Sequence, residues 1–369
     1  MTFGIIIMLT TYLLTICMLI YGFDKMQPVL NKNLSPRTRF SIIVPFRNEE
    51  ANFLTLLNSI SALNYPKNLF EIIVVNDDSS DNSVVIFNDW QVANPEISSR
   101  LLQNIRLSNA PKKDAITTAI SEIKNEWIIT TDADCRVQQN WLLAFDNCTQ
   151  HSRFQMVASS VSVTKTKGFL NYFQFVDLLS LQGTTIGSFG IDEPFMCNGA
   201  NFAYTKRIFQ SLNGFDNNNN IASGDDVFLL QKAVENCPEK VTFLKNSEAI
   251  VYTKSEESWT NLFQQRVRWA SKTGSYDDSF GKILAIIVLL TNLNIIVGLF
   301  FLKIKIWLAL FFVKFSVDYY LLSKTKRFIQ DKSFFLPIIS SVFYPIFCVA
   351  VAFYSFFWTF EWKGRNFKK

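Results

Sequence analysis

The chain contains one histidine, His151, in 369 residues, and that scarcity excludes a good deal. Imidazole-centred triads and His-rich metal sites have no raw material, so any chemistry has to run on carboxylates. The six cysteines show no CxxC spacing, and Cys17 and Cys348 fall inside apolar runs. This argues against zinc and against a disulfide framework, and it fits a reducing compartment. No G-x-G-x-x-G follows the first strand-like run and no G-x-x-x-x-G-K-[ST] occurs. A dinucleotide-binding Rossmann domain is thereby disfavoured and a P-loop removed. A large charge of one sign is missing too: the formal net charge is +5, too weak and too dispersed for a nucleic-acid surface.

Apolar residues are what the chain has in plenty. It is 49% hydrophobic with 36 phenylalanines and a mean hydropathy of +0.15, and lysine and arginine gather beside the apolar runs, as in membrane proteins. Residues 3–22 carry no charge and are long enough to span a bilayer. With neither a basic n-region nor a cleavage site, they read as an uncleaved anchor, assigned here to 1–24, rather than a signal peptide. Lys25, Lys32, Arg37 and Arg39 follow in a basic linker over 25–39, which places the next domain in the cytoplasm by the positive-inside rule. Beyond Lys282 the apolar runs are Ile283 to Leu302, the shorter Ile306 to Leu322 with Lys314 and Asp318, and Phe334 to Trp358 with Pro337 and Pro345. About three spans over 282–360 are expected, four in all with the anchor. The tail 361–369 would then lie outside although it is basic.

The intervening pattern is α/β. Phe40 to Val44 reads as a strand stopped at Pro45, with Asn48 placed to cap a helix striped by Phe53, Leu56, Leu57, Ile60 and Leu63. Further strands are expected at Glu71–Val75, ending in Asn76 to Asp81, and at Ile105 to Leu107; Lys112 to Lys124 reads as a helix. Trp127 to Thr131 is strand-like and runs directly into Asp132-Ala133-Asp134. Alternating strands and helices predict a parallel, doubly wound sheet. Residues two apart on an extended segment share a face, so Asp132 and Asp134 converge just past a strand's carboxyl end, the edge where such sheets bind ligands. Two hard carboxylates there favour Mg2+ or Mn2+ shared with substrate phosphates; a polar turn is the plainer reading of a lone D-x-D.

Later stretches are less regular. Gly168 to Gly190 is either buried core or a helix in the membrane interface, with a lean to the interface. Cys197 to Asn201 offers small residues where backbone can approach a ligand. Asp225 and Asp226 precede a helical run, Val227 to Val234, as an N-cap or as chemistry. Gln265, Arg268 and Trp269 share a face at i, i+3, i+4 spacing. They read as an amphipathic surface, or as a guanidinium for a diphosphate beside an aromatic platform for a sugar.

Taken in order, Pro45-Phe46-Arg47-Asn48-Glu49, Asp77-Asp78, Asp132-x-Asp134, Asp225-Asp226, Gln265-x-x-Arg268-Trp269 and an apolar tail resemble the membrane-integrated glycosyltransferases of family 2. These include cellulose, hyaluronan, chitin and poly-N-acetylglucosamine synthases, and ceramide glucosyltransferases look similar. The resemblance covers about residues 40–272 plus the membrane layout. It implies a GT-A-type, Rossmann-like cytoplasmic nucleotide-sugar domain over 40–275 in a multi-pass protein of the cell membrane. It also implies roles: Asp77 or Asp78 at the uracil of a UDP-sugar with Pro45 and Glu49 in the same site, Lys112 approaching the nucleotide, and Asp132 and Asp134 holding metal and diphosphate. Asp226 would be the general base, and Gln265, Arg268 and Trp269 would bind diphosphate and acceptor. The chain departs from the pattern where Gly224-Asp225 replaces Thr-Glu, where Phe46 replaces tyrosine, and where Pro111 replaces glycine, which leaves Lys113 competing with Lys112. The implied reaction is inverting, metal-dependent transfer of a hexose or N-acetylhexosamine from a UDP-sugar to a growing polysaccharide. Copies of the chain or a secretion partner would complete a pore. Single-sugar transfer to diacylglycerol, ceramide or polyprenyl phosphate is the alternative, and a non-catalytic scaffold the third reading.

Overall fold

The computed structural model describes residues 2–28, 34–150, 153–164, 167–219, 221, 224–272, 274, 278–331, 337–357, 360–362 and 365–367. His151, Lys32 and Ser223 lie outside them. In chain order, α1 (Thr2–Lys25) is followed by β1 (Phe40–Phe46), α2 (Phe53–Ser61), β2 (Phe70–Asn76), α3 (Ser83–Ala93) and β3 (Ser98–Gln103). Next come α4 (Pro111–Glu122), β4 (Trp127–Thr130), α5 (Trp141–Thr149), β5 (Met156–Ser159), β6 (Val161–Val163) and α6 (Phe169–Gly190). Then follow β7 (Phe202–Thr205), α7 (Lys206–Ser211), α8 (Asp225–Asn236), β8 (Val241–Leu244), β9 (Val251–Thr253) and α9 (Trp259–Ala270). Helices α10 (Ser279–Phe301), α11 (Ile304–Phe328) and α12 (Ile338–Phe357) precede two short strands, β10 (Phe360–Trp362) and β11 (Arg365–Phe367). The chain forms two compact units, one of residues 27–164 and 196–254, the other of 1–26, 165–195 and 255–369. Residues 165–195 and 255–275 fall in the same unit as the apolar helices.

In the first unit a seven-stranded sheet runs in the order β3-β2-β1-β4-β7-β5-β8. Strands β1 and β2 are covered on both faces, which is why FSIIVPF and FEIIVVN are almost continuously apolar. The expected parallel sheet holds for β3, β2, β1 and β4, but β7 pairs antiparallel with both β4 and β5. The reason is local: the chain re-enters at the carboxyl edge of β4, where Thr130 Oγ1 donates to the Gly199 carbonyl at 2.7 Å, and can only run back down the sheet.

Three local expectations are corrected. The third strand is β3 over Ser98–Gln103, not 105–107. Ile105 and Leu107 are exposed, and their N–H groups donate to Thr118 Oγ1 and Asp114 Oδ2. Asn48 does not cap a helix. It sits at φ 52 and accepts the Ser80 N–H at 2.9 Å, while α2 starts only at Phe53. Neither Asp225 nor Asp226 is an N-cap, because that place is taken by Gly224 and both aspartates lie inside α8. Helix α4 matches expectation, with Pro111 in its first turn, where a missing N–H costs nothing.

In the second unit α1, α10, α11 and α12 are long and apolar enough to cross a membrane. Helix α11 is longer than the run Ile306 to Leu322, reaching Phe328. The two charges within its apolar run are paired inside the unit: Lys314 Nζ meets Asp318 Oδ2 at 2.6 Å, and Tyr12 Oη donates to Asp318 Oδ1 at 2.6 Å. One end further along, Lys324 pairs with Asp24 at 2.7 Å, so α1 and α11 run in the same direction. Pro345 lies inside α12; Phe334 to Leu336 fall outside the described residues. The stretch 168–190 is helix α6 from Phe169, and its residues from Phe173 to Gly190 are largely buried in protein, not laid in a membrane interface. It crosses α1 closely: a Cβ on Gly187 would strike the Leu19 carbonyl, and one on Gly190 the Gly22 carbonyl.

Candidate active site

Lys112 is the hub of the site. It leaves the first turn of α4, and its Nζ lies 2.7 Å from Asp132 Oδ1 and 3.3 Å from Asp225 Oδ2. Burial pulls its pKa down, but Asp132, Asp225 and Asp226 outweigh that and hold it above the ordinary lysine value. Asp225 is buried, and its carboxyl is pushed up by that burial, with Asp226 and Asp132 adding and Lys112 opposing. Two acids thus share one contacting ammonium with a third, Asp226, close enough to act on it through its charge, an arrangement in which like charges crowd and the lysine sets the balance.

The two acids of α8 are divided in role by geometry. Asp225 turns to Lys112. Asp226 is half-exposed and accepts the Gly199 N–H at 2.7 Å and the Val227 N–H at 2.8 Å. Gly199 is needed here, since a Cβ would stand 2.9 Å from Asp225 Oδ2 and 3.3 Å from Lys112 Nζ. The turn carrying Gly199 is fixed by Asn201, which is fully buried. Its amide donates to Ser160 O and Ala249 O at 2.7 Å each and accepts the Trp141 indole N–H at 2.9 Å. A saturated buried network of this kind rigidifies what it holds.

Asp132 and Asp134 follow β4 in a turn, where the Cys135 N–H donates to the Asp132 carbonyl at 3.1 Å. The strand ends at Thr130, so a turn brings the pair to the sheet edge instead of continued extension. Asp134 accepts from Thr253 Oγ1 at 3.3 Å, a residue delivered by β9. The Asp132 side chain is 39% exposed. These are hard oxygen donors on an open turn and suit Mg2+ or Mn2+, which take one or two carboxylates and fill the remaining positions from phosphate and water. Among the described residues no group of three or more His, Cys, Asp or Glu side chains is placed to hold a metal ion.

At the ends of β2 and β3, Asp77 is buried, and its Oδ1 accepts from Asn104 Nδ2 at 2.7 Å and Arg106 NH1 at 3.2 Å. Arg47 donates to the Asp77 carbonyl at 2.7 Å and lies 3.6 Å from Asp78. Asp78 is exposed at φ 61. Pro45 is the β1 partner of Val75, and the Glu49 N–H donates to Ser83 Oγ at 2.8 Å. Asp77 and Asp78 thus differ sharply in access, which their adjacency in sequence concealed. Asn104 and Arg106 were not among the candidate site residues, and no motif in the sequence marked them; Gly199 lies in the stretch Cys197 to Asn201, where small residues were expected to let backbone approach a ligand.

Gln265, Arg268 and Trp269 belong to the other unit. There Gln265 Nε2 donates to Glu256 Oε1 at 2.6 Å, and the residue on the Trp269 ring is Arg266, 4.2 Å from its centroid. Arg266 also pairs with Asp177 of α6 at 2.7 Å.

A mixed α/β sheet of this order, with a carboxylate turn and a second acid pair at its carboxyl edge, defines a GT-A-type transferase fold. Residues 127–360 match the model of glycosyl transferase family group 2, and residues 41–212 that of glycosyl transferase family 2. The chain belongs to the family 2 glycosyltransferases. It is 24% identical over 383 aligned positions to "Probable glycosyltransferase YdaM" of Bacillus subtilis, covering 94% of this chain and 88% of that protein. It is 22% identical to "Glycosyltransferase AglE" of Haloferax volcanii, over 53% of this chain and 61% of the other. In fold it is similar to the mannosyltransferase PcManGT of Pyrobaculum calidifontis, solved in complex with GDP-Man and Mn2+. The TM-score is 0.60 at 17% identity, over 96% of this chain and 98% of that one.

Proposed function

We propose that the protein moves a hexose or N-acetylhexosamine from a UDP-sugar to a hydroxyl of a growing polysaccharide at the membrane, with inversion at C1. The observation that carries this reading is the division of the acid pair: Lys112 engages Asp225, while Asp226 keeps access on the Gly199 N–H. Asp226 accepts the proton of the acceptor hydroxyl, the hydroxyl oxygen forms the bond to C1, and the bond from C1 to the UDP oxygen breaks. UDP leaves as a polyanion, so Lys112 serves best at the diphosphate end of the site. Asp132 and Asp134 would hold a divalent cation, which would supply further positive charge for that leaving group. Asp77 and Asp78 serve the base of the nucleotide, with Pro45 and Glu49 beside them. Gln265, Arg268 and Trp269 serve diphosphate and acceptor. The basic residues after α1 favour a cytoplasmic catalytic side in the cell membrane.

A second reading is transfer of one sugar to a membrane lipid. It is favoured by the Tyr12–Asp318–Lys314 cluster, which consumes within the protein the charges that a polar sugar path would use. The test is the full chain in liposomes with labelled UDP-glucose, UDP-N-acetylglucosamine or GDP-mannose and Mn2+. Long chains formed before acceptor is exhausted support the first reading and single-sugar lipids the second. No release of nucleoside diphosphate from any donor refutes both.

A further inference from the structure

With 1% of its surface exposed, Lys113 is buried more completely than any other lysine among the described residues. From α4 its Nζ donates to the Asn218 carbonyl at 2.7 Å and stands 4.8 Å from the centroid of the Phe228 ring. No carboxylate among the described residues lies within ion-pair distance of it. Asn218 precedes the acid pair on the loop leading into α8, and Phe228 follows it by two residues on that helix. Lys232, one turn beyond Phe228, donates to the carbonyls of Gly214 and Asp216 at 2.8 and 2.7 Å, so the same loop is gripped a second time.

Such a lysine is a poor investment in stability. Burial lowers its pKa to about 8; Asp225 and Asp226 counter that and Lys232 adds to it. A hydrophobic side chain of similar length would fill the space without desolvating a charge. Phe228 and the Asn218 carbonyl are what the ammonium holds, and they bracket the carboxylate read above as the base.

We propose that Lys113 is a positioning residue of the transfer reaction: it clamps the chain on both sides of Asp225-Asp226 and so holds the Asp226 carboxylate in its place on the Gly199 N–H. This rests on the reading of Asp226 as general base. It is distinct from the role of Lys112, whose ammonium contacts the acids directly.

The test is Lys113→Met in the full chain, assayed in liposomes beside the wild type. Donor binding stays the same, because Lys112, Asp132 and Asp77 are untouched, and the melting temperature does not fall. The kcat for transfer drops roughly 10- to 100-fold, as for a reacting group displaced by a fraction of an ångström to an ångström. The wild-type rate falls as pH rises through about 8, where Lys113, facing Asp225, Asp226 and Lys232, loses its proton; the variant lacks that limb. An unchanged kcat overturns the proposal. So does a melting temperature that falls along with activity, which makes Lys113 merely structural, or a loss of donor binding. A wild type that transfers nothing overturns the reading of Asp226 itself.

Discussion

Replacing Lys112 with methionine tests the hub of the site through stability, independently of substrate. The substitution keeps the length of the side chain and removes the ammonium from Asp225 and Asp132. Asp132 is 39% exposed, so water screens its loss and it is given no share of the cost. Asp225 is different: its side chain is 7% exposed, and removing one partner of a buried pair costs about 3–5 kcal/mol. At roughly 2–4 °C per kcal/mol for a unit of this size, the melting temperature falls by about 6–20 °C near neutral pH. The sign of the pH dependence follows from the acid. Burial already raises the folded-state pKa of Asp225, with Asp226 and Asp132 adding to it, so the folded state holds its proton more tightly than the unfolded one. Stability from such a group is present at low pH and lost as pH rises through the folded pKa. Without Lys112 that pKa climbs further, so the deficit of the variant is small at pH 5 and widens towards pH 8. Thermal unfolding of the detergent-solubilised chain, followed by tryptophan fluorescence at both pH values, measures it. The double variant Lys112→Met/Asp225→Asn removes the stranded charge and recovers most of the loss. An equal deficit at pH 5 and pH 8, or a double variant that loses the sum of the two single losses, refutes the argument.

Asp226→Asn leaves an oxygen for the Gly199 N–H but no base; it folds and binds donor while transfer falls by roughly two to four orders of magnitude, and wild-type product formation by this variant would end the assignment. Asp134→Asn weakens UDP binding in Mn2+ more than in chelator, read by isothermal titration, and turnover undiminished in excess chelator removes the cation from the reaction. With four crossings and a cytoplasmic sheet unit, a cysteine introduced near residue 367 is labelled from outside the cell; labelling only from the cytoplasmic face reduces the count of spans.

Much of the sheet was legible because its strands are buried on both faces and announce themselves as apolar runs, as in Ile72 to Val75. Edge strand β3 was missed because an edge needs little apolar surface: Ser98-Ser99-Arg100 carries none, whereas the exposed Ile105 and Leu107 imitate a strand. The antiparallel β7 could not be foreseen, since its direction depends on the chain re-entering at the carboxyl edge of β4 through the Thr130–Gly199 hydrogen bond and not on its own four residues. In the site, the aspartates stood out through their spacing, but the partition of Asp225 to Lys112 and Asp226 to Gly199 is a matter of distances between α4, α8 and the turn at 199. Local spacing likewise put Gln265, Arg268 and Trp269 on one helix face and gave no hint that Arg266 would cover the tryptophan from between them.

The close crossing of α6 with α1 bears on how the protein is made. Its two helices are separated in sequence by the strands of the other unit up to β6, so during synthesis α1 is complete long before the helix that packs against its Gly22 exists. That apolar surface waits through the translation of well over a hundred residues at about 5–20 residues per second, and it waits again for α11 to bring Asp318 to Tyr12. The same interleaving bears on any shortened chain: cutting at the last residue before α10 keeps α1 against α6 but removes α11, which also packs on α6, and α12, which packs on α9.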